Sequence, residues 1–355
     1  MEQKTLGEVI LLPETLLKSY SLTALTPLGT VSRLNSLCDA EKFDKITLLK
    51  GGSRSIRARA IQFAAAQAKN SVLITNADSQ IPEAAIFGKM AIIDAAEPHP
   101  IEPKFPSAVE DVIWLGDCCD SALLRQNRGQ IIALTRQRDE RQEQARRFLA
   151  AADALINDNR RMAREAVDKE KIVIQARRAA KNFSGGGFKE TACVFSGCIF
   201  GGKLQNQLKK PKTVVALQDE LGCCAGVFLR EIYRCAKIAG CEVVAGYSPY
   251  SPYERLEQVI LPQQEVAFLL DNSCIKCPFE PDRVIHSRRF TDKEKLAACK
   301  SRMAFNKKAA KQMLQSAAQL FKEGEEFAGK LDAIYDSAID EQKFEAVCGR
   351  ICGLC

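Results

Sequence analysis

The sequence predicts an α/β fold of two tandem units, each a parallel sheet covered by helices and each carrying a long α-helical arm. Three observations predict it. Apolar runs of four to six residues alternate with helical patterns, the arrangement of βαβ units whose sheet is buried on both faces. The arrangement recurs: placing Gly51 on Asp219 gives an offset of 219 − 51 = 168 residues, close to half of the 355-residue chain. Each half then closes in a long stretch with three-and-four apolar spacing.

In order, "ITLLKGGSRSIRARAIQFAAAQAK" from Ile46 to Lys69 reads as strand, two glycines and alanine-rich helix, and "TVVALQDELGCCAGVFLREIYRCAKIAG" from Thr213 to Gly240 repeats it. "SVLIT" from Ser71 is answered by "CEVVAG" from Cys241, and "MAIIDAA" from Met90 by "VAFLLDNS" from Val266, each ending in an aspartate, Asp94 or Asp271. The segments after the second strand, "NADSQIPEAA" and the tyrosine-bearing "GYSPYSPYERLEQ", read as loops at the carboxyl edge of a sheet, where ligand contacts often lie. The arms read as helical hairpins at about 118–181 and 292–347; in the second, Leu314, Ala317, Phe321, Leu331 and Tyr335 keep helical spacing. "NFSGGGFK", 182–189, is the linker, which sets a first unit at 1–181 and a second at 190–355.

With 46% apolar and 27% charged residues the composition is globular. The N-terminus has acidic residues and Pro13 where a signal peptide would be basic and then apolar, and no apolar run approaches a membrane span. The expected location is the cytoplasm. There the fifteen cysteines would be free thiols or metal ligands rather than disulfides. The net charge of +7 is concentrated at 118–181, with fifteen Lys/Arg against nine Asp/Glu. Opposite charges interleave there at helical spacing and Phe148 is the one aromatic residue, a pattern of a solvated helix rather than of nucleic-acid binding.

A phosphate-binding loop reads G-x-x-x-x-G-K-[ST], with backbone amides and Lys on the phosphates and the hydroxyl on Mg²⁺. In the first half Gly51 fits the first position, followed by Gly52, Ser53, Arg54 and Ser55, while Ile56, Arg57 and Ala58 stand where Gly, Lys and Ser/Thr belong. A β-branched Ile56 in the left-handed conformation of that Gly would cost roughly 1–2 kcal/mol. In the second half Asp219, Cys224, Ala225 and Gly226 hold the four positions, with Gly222 and Cys223 between them. Arg54, Arg57 and Arg59 leave the first loop the better candidate for a nucleotide.

These loops, the tandem repeat and "MAIIDAAEPHPIEPKFPSAVEDVIWLGD" from Met90 to Asp117 resemble a family of bacterial tandem P-loop proteins described as ATPases or ATP-binding proteins with no established physiological role. The resemblance covers most of the chain. It implies a P-loop fold, ATP with Mg²⁺ as ligand, Asp94 as the carboxylate that orients Mg²⁺ and water, and Asp271 as its counterpart. An aspartate at a strand end also caps turns. His99, in the Pro-rich turn after Asp94, is a further ligand candidate. Typical members carry G-x-P-G-T-G-K-[ST]-T in both loops, so the departures here imply weak or absent hydrolysis.

Two C-x-x-C pairs, Cys274 with Cys277 and Cys352 with Cys355, have spacing suited to Zn or an iron–sulfur cluster. About seventy-five residues separate them, longer than in compact zinc ribbons. Three readings therefore stand: a nucleotide-binding or pseudo-ATPase scaffold, a non-catalytic scaffold that binds a protein through its arms, and a Cys-ligated metal module.

Overall fold

The computed structural model describes residues 19–68, 70–194, 210–273 and 276–351. The fold is mixed α/β, with two sheets and, among the described residues, seven α-helices. The first sheet holds β1 (Ser19–Thr26), β2 (Gly29–Ser32), β3 (Lys45–Lys50), β4 (Val72–Asn76), β5 (Pro82–Phe87), β6 (Met90–Asp94) and β7 (Glu110–Trp114) in the order β2-β1-β4-β5-β6-β3-β7. The second holds β8 (Lys189–Val194), β9 (Thr213–Gln218), β10 (Glu242–Ser248), β11 (Ser251–Leu261), β12 (Val266–Asp271) and β13 (Arg283–His286) in the order β13-β9-β12-β11-β10-β8. Read from its other edge, and with β2 set aside, the second order matches the first strand for strand.

The sheets are mixed rather than parallel. β5 runs antiparallel to β4 and β6, and β11 antiparallel to β10 and β12. Residues 77–81 join β4 to β5 and residues 88–89 join β5 to β6, far short of the dozen or more that a parallel crossover needs. The segments read as loops after the second strand thus contain the antiparallel strands. Parallel pairing holds where a helix intervenes, as between β3 and β6 or β9 and β12.

Alternation along the strands sets the layers. Ile46, Leu48, Ile74 and Ile93 of the first sheet meet Val214, Val244, Ile260 and Leu269 of the second in one core between the sheets. On the outer faces, α1 (Arg54–Gln67) packs Ile56 and Ile61 near Leu49 and Ile92, and α5 (Cys223–Ile238) packs Phe228 and Ile232 near Leu217 and Phe268.

After β7 come α2 (Ser121–Gln126), α3 (Arg128–Arg164) and α4 (Lys169–Ala179); after β13 come α6 (Lys293–Ser337) and α7 (Glu341–Ile351). The arms are not separate hairpins. α3 and α6 are single long helices that pack on each other through Ala145, Leu149, Ala317 and Phe321. At 37 residues α3 is about 55 Å long, enough to cross to the other half, where Ile172 and Ala176 of α4 enter the core beside Phe228. α6 makes the reverse crossing, and Phe344 and Val347 of α7 pack with Ile56 and Ile61.

Residues 182–189 join the halves without slack. A Cβ on Gly185 would lie 2.1 Å from the Gly240 carbonyl oxygen, and Gly187 N donates to that oxygen at 3.0 Å. Glycine is required here for close approach of two backbones. No helix among the described residues is long and apolar enough to cross a membrane.

Because each sheet is covered by a helix from the other half of the sequence, residues 1–181 and 182–355 expressed separately should each fail to unfold cooperatively. Co-expressed, they should co-elute as a 1:1 complex with a single urea transition. Two independently stable fragments would refute the exchange.

Candidate functional site

Three residues, Gly51, Gly52 and Ser53, separate β3 from α1. Gly51 and Gly52 have φ of 73° and 65°, and a Cβ on Gly51 would lie 2.9 Å from the Trp114 ring and from Gly116 N. Ser53 caps the helix, its Oγ accepting from Ile56 N at 3.3 Å. With the cap this early, Arg54, Ser55, Ile56, Arg57 and Ala58 are already helical. Ile56 is therefore a buried helical residue beside Ile61 and Leu115, not the strained left-handed one expected from the motif.

Arg57 is 6% exposed and its guanidinium turns back into the loop. Nε donates to Asp94 Oδ1 at 2.7 Å, and Nη1 donates to the carbonyls of Gly52 and Gly51 at 2.9 and 3.3 Å. Asp94 Oδ1 also accepts from Ala96 N at 3.0 Å. The cation expected to face phosphate and the carboxylate expected to face Mg²⁺ are paired with each other. The exchanged helices take the remaining loop groups: Arg54 pairs with Glu325 at 2.9 Å and Asp332 at 3.1 Å, Ser55 Oγ donates to Asp336 at 2.9 Å, and Arg59 pairs with Glu341 at 2.8 Å.

The second loop is filled by its own side chain. Asp219 is 5% exposed, and its Oδ2 accepts from Ala225 N at 2.9 Å while Oδ1 accepts from Leu221 N at 3.3 Å. Gly222, at φ 67°, precedes α5, and Gly226 N donates back to its carbonyl at 3.1 Å. A carboxylate thus occupies the helix N-terminus where an anion would dock. Burial pushes the Cys223 thiol up to about 11 and the Cys224 thiol up to about 12, so both are neutral thiols at pH 7.

Sheet register corrects the pairing of the two aspartates. Leu49 pairs with Asp94, and 168 residues on Leu217 pairs with Leu270. Leu270, buried against α5, is the counterpart of Asp94. Asp271 is one residue out of step and so on the opposite face, where it accepts from Cys277 N at 3.4 Å. Cys277 packs against the core between the sheets; Cys274, Cys352 and Cys355 lie outside the described residues. Among the described residues no group of three His, Cys, Asp or Glu could hold a metal ion.

Above the first loop lies a cavity of about 670 Å³, floored by strand ends and roofed by α3 and α6. Asp78, Glu83, Asp94 and Glu97 line its floor, Asp139, Glu325 and Asp332 its roof, against Arg54, Arg57 and Arg138. At the second loop Arg160 of α3 reaches down, its Nε donating to the Leu221 carbonyl at 2.9 Å. The arms repeat at an offset of 292 − 120 = 172, the separation of the two capping aspartates, which makes Asp332 the counterpart of Arg160. An arginine thus stands above the second loop, and an aspartate that lines the cavity stands above the first.

Glu83 of β5 is among the residues that line the cavity. It is 7% exposed, burial pushes it up to about 7, and Asn76 Nδ2 donates to its Oε1 at 2.9 Å. His99 Nε2 lies 4.0 Å from that oxygen with the ring 10% exposed, and burial pushes His99 below the usual histidine range. Register pairs Ala84 with Ile93 and Gln258 with Leu269, which makes Glu257 of β11 the counterpart of Glu83. Burial pushes Glu257 up to about 7 as well. Of the cavity lining the sequence reading reached Gly52, Ser53, Arg54, Arg57, Asp94 and His99 and missed Glu83 and the roof. The signal available was a glutamate inside an apolar strand in both halves, in "IPEAAIF" and "YERLEQVI". Searches against family models, curated proteins and solved structures match nothing.

Arg57→Met should destabilise the fold by about 3–5 kcal/mol by leaving Asp94 buried and unpaired. Arg57→Met combined with Asp94→Leu should regain most of that loss in urea unfolding. For Glu257 the folded value lies above the unfolded one, so the protonated form favours folding. Its stability contribution is full below about pH 4.5 and is lost as pH rises through about 7. Glu257→Gln should therefore leave the midpoint unchanged at pH 4.5 and raise stability at pH 8 by roughly 3 kcal/mol.

Proposed function

We propose that this chain is a scaffold derived from the P-loop design that does not hydrolyse ATP, with Arg57 standing where a nucleotide phosphate would stand. The observation that carries the reading is the buried guanidinium held by Asp94 and by the carbonyls of Gly51 and Gly52. P-loop catalysis depends on a free carboxylate for Mg²⁺ and a cation on the β- and γ-phosphates. Here the two groups neutralise each other, and ATP with Mg²⁺ would have to break a buried pair to enter. The carboxylates around the cavity oppose a polyanion further.

The alternative of a protein partner held by the arms is weakened by the pairing of α3 with α6, which uses the apolar stripe of each helix on the other. An outer, charged face remains available to a partner.

The test is a titration of Mg-ATP into the full chain, read by fluorescence of Trp114, the single tryptophan, which sits against Gly51. Neither a saturable change below about 1 mM, an affinity near −4 kcal/mol, nor phosphate release above a protein-free blank is expected. Turnover by the natural chain that disappears in Asp94→Asn would make this an active ATPase and end the proposal.

A further inference from the structure

We propose that the basic end of the molecule, built from β13, the first half of α6 and the join of α3 to α4, binds single-stranded nucleic acid through its phosphates. Residues 283–311 hold ten Lys/Arg and two Asp/Glu, 10 − 2 = +8, and residues 157–179 hold seven and four, 7 − 4 = +3. The segments related to them by the 172-residue repeat, 111–139 and 329–351, come to 4 − 4 = 0 and 3 − 5 = −2. The fold brings the two basic segments together. α3 and α6 run antiparallel, with Arg302 on Asp158 at 2.9 Å, Asp292 N donating to the Ala166 carbonyl and Asp168 N to that of Phe290. One end therefore carries 8 + 3 = +11 and the rest of the chain 7 − 11 = −4.

On a solvated helix opposite charges interleave, as on α3, where residues 123–150 set Asp139, Glu140 and Glu143 among seven arginines. The equivalent stretch of α6, residues 295–322, has seven Lys/Arg and no carboxylate. Like charges on neighbouring turns, such as Lys308 and Lys311, destabilise a helix, and an anion from outside the chain relieves them. Arg288, Arg289, Lys293, Lys300, Lys308 and Lys311 are exposed and make no ion pair among the described residues. Lys293, Lys300, Lys307 and Lys311 recur at intervals of seven, seven and four, which keeps them on one side of α6 over about 27 Å. Of these, Lys307 also reaches Glu220 at 2.6 Å. Phe305 supplies a second kind of contact: it is 69% exposed and three residues before Lys308, hence beside it on the helix surface. Such a ring can stack a base whose phosphates the lysines hold, which a duplex with its bases inside does not offer. A lipid surface fits less well, because it needs apolar side chains on one face, and Ile174, Val284 and Phe305, the exposed large apolar residues here, lie on three different elements.

The experiment is an anisotropy titration of the full chain into labelled 20-nucleotide oligouridine and oligothymidine, with a duplex of the same length as a further probe and co-sedimentation with phosphatidylserine vesicles beside it. Saturable binding of both single strands is expected, tighter than of the duplex, with log affinity falling linearly with log salt at a slope of about −0.7 per phosphate held. Lys300→Gln combined with Lys308→Gln should weaken binding at least tenfold and flatten that slope by about 1.4. Arg128→Gln combined with Arg136→Gln removes two exposed cations at the equivalent positions of α3 and should leave affinity and slope unchanged. Phe305→Ala should weaken single-strand binding about fivefold and leave the duplex unaffected. Absence of saturable binding at 50 mM salt, equal losses in the two double variants, a duplex bound as tightly as the single strands, indifference to Phe305→Ala or stronger binding to the vesicles would overturn the proposal. The surface uses neither Arg57 nor Asp94, so its failure would leave the proposed function standing.

Discussion

Four backbone hydrogen bonds hold the two halves in an exchanged arrangement. Asp120 N donates to the Ala338 carbonyl at 2.7 Å and Asp340 N to that of Cys118 at 2.7 Å; Asp292 N donates to Ala166 and Asp168 N to Phe290, both at 2.8 Å. The two pairs are related by the 172-residue repeat of the arms. Each bond ties the base of one arm to the far end of the other, and the four aspartates also cap the helices that follow or form the arms. From this tie follow the placement of α4 and α7 on the opposite sheets, the contact of α3 with α6, and a cavity whose roof comes from both halves.

Register along the arms is set by a polar contact away from their centre. Asn306 Nδ2 donates to Asn159 Oδ1 at 2.9 Å, and both residues are buried. The positions related to them by the repeat are Leu134 and Leu331, also buried. One end of the helix pair is therefore apolar and the other polar. A slip of one helix along the other would strand amides in apolar surroundings, the register role best attested for buried polar groups. The roof residues of the open cavity, among them Glu325 and Asp332, stand where this register puts them.

The two loops show the same solution reached with opposite charges. In the first, an arginine on the helix supplies a cation to loop carbonyls and a strand-end carboxylate; in the second, a strand-end aspartate supplies an anion to helix amides. Each satisfies polar groups that a P-loop leaves for its ligand. Above the loops the halves differ in Arg160 against Asp332: the arginine bonds a carbonyl of the second loop, and the aspartate lines the cavity above the first.

By itself the sequence determined the strands with both faces apolar, the short loops after β3 and β9, the helical character of the arms and the repeat that relates the halves. These are local properties: strand and helix periods, glycines at tight turns and capping aspartates act within a few residues. Local pattern also marked Arg57, Asp94 and His99, because each lies next to a strand end. Only the tertiary structure decided that Arg57 pairs with Asp94, that Leu270 rather than Asp271 matches Asp94, and that α4 and α7 change places. Those outcomes depend on register, on side-chain direction and on contacts between residues more than 100 positions apart, such as Arg54 with Asp332. A helical period says which face of α6 is apolar, but it does not say across which sheet that helix will lie.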